Sequence, residues 1–114
     1  MSIERIILTD DTGRWFLRDS ATEFGEDSNW DGNNHISVAT GSQWEHEELY
    51  YTESGLWILH SWSQWQGSVA RYEEISGDSA VAWLARNNRH DDGLDSLPSA
   101  VRGQVLACLA DLEV

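Results

Sequence analysis

Four consecutive apolar residues, Leu56-Trp57-Ile58-Leu59, follow a short polar turn that ends in Gly55. Successive side chains of a strand point to opposite faces, so a strand of this composition must be covered on both sides. It therefore belongs at the centre of a sheet, and the rest of the chain has to supply the cover. Alternating patterns place further strands at about 4–9, 14–19, 35–40, 47–52 and 69–75, with this one at 56–62. Residues 20–34 read as a polar loop. Connections this short favour antiparallel neighbours, hence a meander of about six strands.

Two stretches echo each other. Thr9-Asp10-Asp11-Thr12-Gly13-Arg14-Trp15-Phe16-Leu17 parallels Thr52-Glu53-Ser54-Gly55-Leu56-Trp57-Ile58-Leu59. In each, a glycine supplies the positive φ of a tight hairpin before a strand carrying Trp-x-Leu. Ser42-Gln43-Trp44 likewise matches Ser63-Gln64-Trp65. Hairpins obeying one turn chemistry account for both echoes, with an old duplication as the alternative.

After residue 75 the period changes. Ser76 or Asp78 caps a helix over about 77–88 whose Ala80, Val81, Trp83, Leu84 and Ala85 form an apolar stripe. A polar linker follows to Asp95. Ser96-Leu97-Pro98 then opens a second helix over about 97–112, with Leu97, Val101, Val105, Cys108, Leu109 and Leu112 on its buried face. The expected fold is α+β: an antiparallel meander over about 4–75, then two C-terminal helices packed on one face, all in a single domain spanning 1–114.

Charge narrows the function. Twenty Asp and Glu face seven basic residues, all arginine, for a net charge of −13. A surface of that sign repels nucleic acid and anionic membranes and draws in basic partners. Acid gathered on one face would mark a docking surface, whereas acid spread evenly would reflect a high-salt or codon-usage background. Clusters occur at Glu23, Glu26, Asp27 and Asp31, at Glu45, Glu47 and Glu48, and at Asp91, Asp92 and Asp95. The lone Cys108 reads as a small buried hydrophobe. The first residues carry no basic region followed by an apolar run, and no stretch is apolar enough to span a membrane, so a cytoplasmic protein is expected.

Specific chemistry is sparse. Asp27, Asn29 and Asp31, followed by Gly32, match the opening of a calcium loop, but Val38 stands where the closing glutamate belongs. A solvated Asx-Gly turn is the stronger reading, and no metal or other cofactor is expected. His35, His46, His60 and His90 have no ligand spacing. No nucleophile elbow, paired Cys and His, or phosphate loop exists, so no catalytic residue is assigned and an enzyme is not expected.

The tryptophans are more informative. Trp57 and Trp83 fall in core patterns, whereas Trp44, Trp62 and Trp65 sit among Ser, Gln and Gly. Rigid aromatic anchors beside adaptable polar groups compose a recognition surface, unless the loop folds back and its rings close the sheet. The expected partner-binding set is Trp44, Glu45, Glu47, Glu48, Trp62, Trp65 and Gln66, with Glu23, Glu26 and Asp27. The leading expectation is an acidic protein-binding module that neutralises a partner with a basic, nucleic-acid-binding surface, such as a nuclease, toxin or nucleic-acid-guided complex. Antitoxins, toxin-immunity proteins and anti-CRISPR proteins are similar in size and acidity alone. The alternative is a small-molecule or carbohydrate-binding module using the tryptophan loop, and an exposed sheet edge or tryptophan patch would equally serve a homodimer.

Overall fold

The computed structural model describes residues 4–65, 67–87, 94 and 97–113. Strands come first and helices last, giving the α+β architecture. A four-stranded antiparallel sheet is built from β3 (Thr22–Gly25), β6 (Glu45–Tyr51), β7 (Trp57–Ser63) and β8 (Arg71–Ile75), in the order β3-β6-β7-β8. Two hairpins stand beside it: β1 (Arg5–Ile7) with β2 (Trp15–Leu17), and β4 (Ser28–Trp30) with β5 (His35–Ser37).

The meander is realised in β6, β7 and β8, but the described strands number eight and fall into three sheets. The region 20–34, which reads as loop, holds β3 and β4. Within β3 only Phe24 is buried, and a single apolar residue among Thr22, Glu23 and Gly25 gives no period to detect. Its partner explains the strand: Phe24 lies opposite Leu49, and both enter the same core cluster. The stretch at 35–40 is strand only as far as Ser37 and pairs with β4, outside the main sheet.

The two-sided strand is central, between β6 and β8. Register puts Leu49 opposite Leu59, Tyr50 opposite Ile58 and Tyr51 opposite Trp57. On one face Leu49, Trp57 and Phe24 pack with Ala80, Trp83, Leu84, Leu97 and Val105 from the helical region. On the other, Tyr50 and Ile58 pack with Ile6, Leu8 and Phe16 of the first hairpin. The β1–β2 hairpin is thus the second cover that Ile58 requires. Gly13 and Gly55 close the two echoing turns at φ +79° and +90°, where an L side chain is strained.

Helix α1 (Gly77–Asn87) begins at Ser76, whose hydroxyl accepts the Ser79 N–H at 3.1 Å. Helix α2 (Ser99–Asp111) starts after Pro98 and buries Val105 fully, with Val101 and Leu109 packed against the same cluster. Leu112, expected on that buried face, lies at the C-cap and is 57% exposed. The acidic linker residues Asp91, Asp92 and Asp95, with His90, lie outside the described residues.

Because both cores share β6 and β7, they should unfold as one unit. Leu49→Ala on the helix side and Ile58→Ala on the hairpin side are each expected to cost about 2–5 kcal/mol. Urea unfolding checks this: both midpoints should fall while the slope stays that of wild type.

Candidate partner-binding surface

The start of β6 and the end of β7 meet at one end of the sheet, where Glu45 pairs with Ser63. The ladder runs one step further, since Gln64 N–H donates to the Trp44 carbonyl at 2.8 Å. Both Ser-Gln-Trp segments then make the same local turn. Ser42 Oγ accepts the Trp44 N–H at 3.0 Å, and Ser63 Oγ accepts the Trp65 N–H at 3.1 Å. These matched turns bring the two indoles together, with centroids 5.2 Å apart and planes tilted by 42°. Trp44 is 42% exposed and Trp65 60%, with exposed Glu45 next in sequence and Val69 exposed nearby in the same loop region.

Trp62 behaves differently. It faces His46 across the ladder and lies between His46 at 5.6 Å and His60 at 4.6 Å. His60 stacks in turn on Tyr72, 4.1 Å away and nearly parallel. Half-buried Trp62 therefore closes the sheet face, while Trp44 and Trp65 do not fold back.

Four of the acidic residues singled out in sequence, Glu26, Asp27, Glu47 and Glu48, have work inside the fold. Glu26 sits beside His46 Nδ1 at 2.5 Å and accepts hydrogen bonds from Ser37 Oγ and the Glu47 N–H, which joins β5 to β6. Glu47 accepts the Trp83 indole N–H at 3.0 Å, tying the sheet to α1. Asp27 N–H donates to the Asn87 side chain, whose own amide donates to the Trp83 carbonyl. Glu48 accepts the Tyr50 hydroxyl at 2.8 Å and lies 2.6 Å from His60 Nδ1. These groups are half-buried or buried. Gln66 lies outside the described residues.

Glu23 and Glu48 form a coupled carboxyl pair. The hydrogen bond to Glu48, then burial, then the neighbouring negative charge push Glu23 above the usual carboxylate range. Burial also opposes ionisation of Glu48, but hydrogen bonds from Glu23, His60 and Tyr50 together hold it below that range. The buried Tyr50 hydroxyl, bonded to this carboxylate, is pushed well up. Glu23 also lies 3.9 Å from Arg18, which reaches Glu4 at 3.5 Å.

Several other described acids have partners of their own. Asp10 and Glu74 flank Arg14 at 2.9 and 2.8 Å, and hydrogen bonds from Thr12 and Arg14 lower Asp10 to about 2. Glu73 is bonded to Arg71. Asp31 Oδ1 accepts the N–H groups of Asn34 and Asn33 in the β4–β5 turn, which holds its carboxyl low. Asp27 accepts the Ser28 N–H, and Asn29 lies in β4, so the calcium-like run is built as a hairpin. Among the described residues, no three His, Cys, Asp or Glu are grouped to hold a metal ion. No described helix is long and apolar enough to cross a membrane.

A groove of about 220 Å³ borders the tryptophan end, lined by Thr40, Glu45, Ser61, Trp62, Ser68 and Val69 among others. Sequence reasoning missed two exposed indoles, Trp15 at 51% and Trp30 at 61%. The sequence pattern places Trp15 in a strand without saying which face is covered. Its exposure follows from the hairpin being the outermost layer, with only Phe16 turned inward.

The carboxyl pair fixes a pH signature. Glu48, depressed in the fold, contributes stability above the ordinary carboxylate range that is lost as pH falls through its folded value; raised Glu23 contributes below that range and loses it as pH rises. Glu23→Gln keeps a donor at every pH, so its thermal midpoint should exceed that of wild type near neutrality and converge with it in acid. Glu48→Gln should cost about 1–3 kcal/mol at neutral pH by disturbing His60 and Tyr50. Thermal unfolding from pH 3 to 7 checks both, and parallel profiles for Glu23→Gln and wild type would contradict the pairing.

Comparison with known proteins finds no matching family model, no matching curated protein and no matching solved structure.

Proposed function

We propose that this protein is a small acidic protein-binding module that occupies a basic surface on a partner. The observation that carries this reading is the exposed Trp44–Trp65 pair beside Glu45. Two indoles held in contact by matched serine turns are rigid, so little side-chain freedom is lost on binding. Arginine or lysine of the partner stacks on the indoles while Glu45 pairs with its charge. The net charge of −13 acts at longer range and speeds encounter.

The contact set is narrower than the acidic clusters suggest. Glu26, Glu47 and Glu48 hold the sheet, the helix and Trp62 in place, and so support the surface from behind. Where the partner's basic surface serves to hold nucleic acid, as in a nuclease, toxin or nucleic-acid-guided complex, occupying it neutralises that partner by steric and electrostatic exclusion. A second reading, a carbohydrate or small-molecule site, draws on the groove of about 220 Å³ with its hydroxyls from Thr40, Ser61 and Ser68 next to Trp62.

Capture at low salt, followed by binding kinetics on the retained protein, tests the first reading. A partner with a basic surface should be retained, its association should slow about tenfold from low to moderate salt, and the Trp44→Ala/Trp65→Ala variant should lose it. An on-rate indifferent to salt, or full binding by that variant, would contradict it. A saturable fluorescence change with simple sugars, abolished by Trp62→Phe, would favour the second.

A further inference from the structure

We infer that the outer edge of β2 is a separate docking site, which takes an extended basic segment of a partner protein as an added strand. It lies at the Trp57 end of β7, away from the Trp44–Trp65 end, and does not depend on the reading above.

The backbone supplies the first reason. Leu8 N–H donates to the Arg14 carbonyl at 2.9 Å, Arg18 N–H donates to the Glu4 carbonyl at 3.2 Å, and Ile6 faces Phe16 in register between them. Arg14, Phe16 and Arg18 thus direct their main-chain groups at β1. Alternation turns those of Trp15 and Leu17 the other way. Among the described residues β2 pairs with β1 alone, so this edge is open to a new strand.

The second reason is shape. Two hollows of about 360 and 400 Å³ share Trp15, Phe16, Thr52 and Ser54 as lining. Trp15 is half exposed, with the Arg5 guanidinium 4.6 Å from its ring centre. Leu8, Phe16 and Ile58 give the first hollow an apolar floor. Side chains on one face of a strand recur about every 7 Å, so one face of an added strand presents successive side chains to the hollows.

Charge names the occupant. Arg14 is the only cation among the described lining residues, and Asp10 and Glu74 already hold it. Exposed Asp11 and Glu53 stand on the two turns that flank the edge, with Glu53 lining the second hollow. A strand that alternates apolar with basic side chains satisfies the floor, the backbone edge and the rim together.

The test titrates the 15N-labelled whole chain with a capped heptapeptide of alternating valine and arginine, and with the same peptide N-methylated at every amide. Saturable shifts of the Trp15, Leu17 and Ser54 amides are expected, with a Kd between about 10 μM and 1 mM. The methylated peptide should bind about tenfold more weakly or worse, since it has no donors for the edge. Trp15→Ala should weaken the unmethylated peptide about fivefold; if that variant does not fold, the methylated comparison decides. No saturable shift at Trp15 and Leu17, equal binding of the methylated peptide, equal binding of a glutamate-for-arginine peptide, or shifts confined to Trp44 and Trp65 would each overturn the assignment.

Discussion

Burial of β7 on both faces is the constraint from which the architecture follows. Trp57 and Leu59 demand an apolar layer on one side and Ile58 demands another on the opposite side. Two helices supply the first and a short hairpin the second. Among the described residues, neither core cluster includes a side chain from the Ser63 end of the strand. There the alternation turns polar, Trp62 closes one face against two histidines, and Trp44 and Trp65 are left in water. The exposed surface is what remains where the sheet outruns its covers.

The acidic excess has a divided role. Glu26, Glu47, Glu48 and Asp27 accept or organise internal hydrogen bonds that join β5, β6, β7 and α1. Half-buried carboxylates tolerate this position because tyrosine, histidine, indole and backbone donors surround them. Arg14, Arg18 and Arg71 sit beside other acids, and such exposed pairs contribute little to stability. In the proposed mode of recognition, the net charge would act mainly as a long-range field and the exposed indoles would supply the contacts.

The central strand, both glycine turns and the start of α1 were legible in the sequence, because each rests on local chemistry. Leu56-Trp57-Ile58-Leu59 announces two-sided burial, Gly13 and Gly55 announce positive φ, and Ser76 or Asp78 announces a cap, a role that falls to Ser76. The Ser-Gln-Trp echo was legible as a repeat, but the meeting of its indoles was not, since it depends on the β6–β7 register. β3 escaped because Phe24 alone is turned inward and its partner Leu49 is far along the chain. The internal roles of Glu26 and Glu47 escaped for the same reason: their donors, Ser37, His46 and Trp83, belong to other elements. Trp15 was missed because periodicity identifies a strand without saying whether a further layer lies outside it.

The proposed mode of recognition requires that Trp44 and Trp65 meet solvent. Indole N–H signals, assigned by single Trp→Phe variants and recorded with a neutral paramagnetic co-solute, measure that directly. Those of Trp44 and Trp65 should broaden strongly, while Trp57 and Trp83 stay sharp. Protection of Trp44 and Trp65 to the level of Trp83 would contradict the exposed aromatic pair, and with it the proposed mode of recognition.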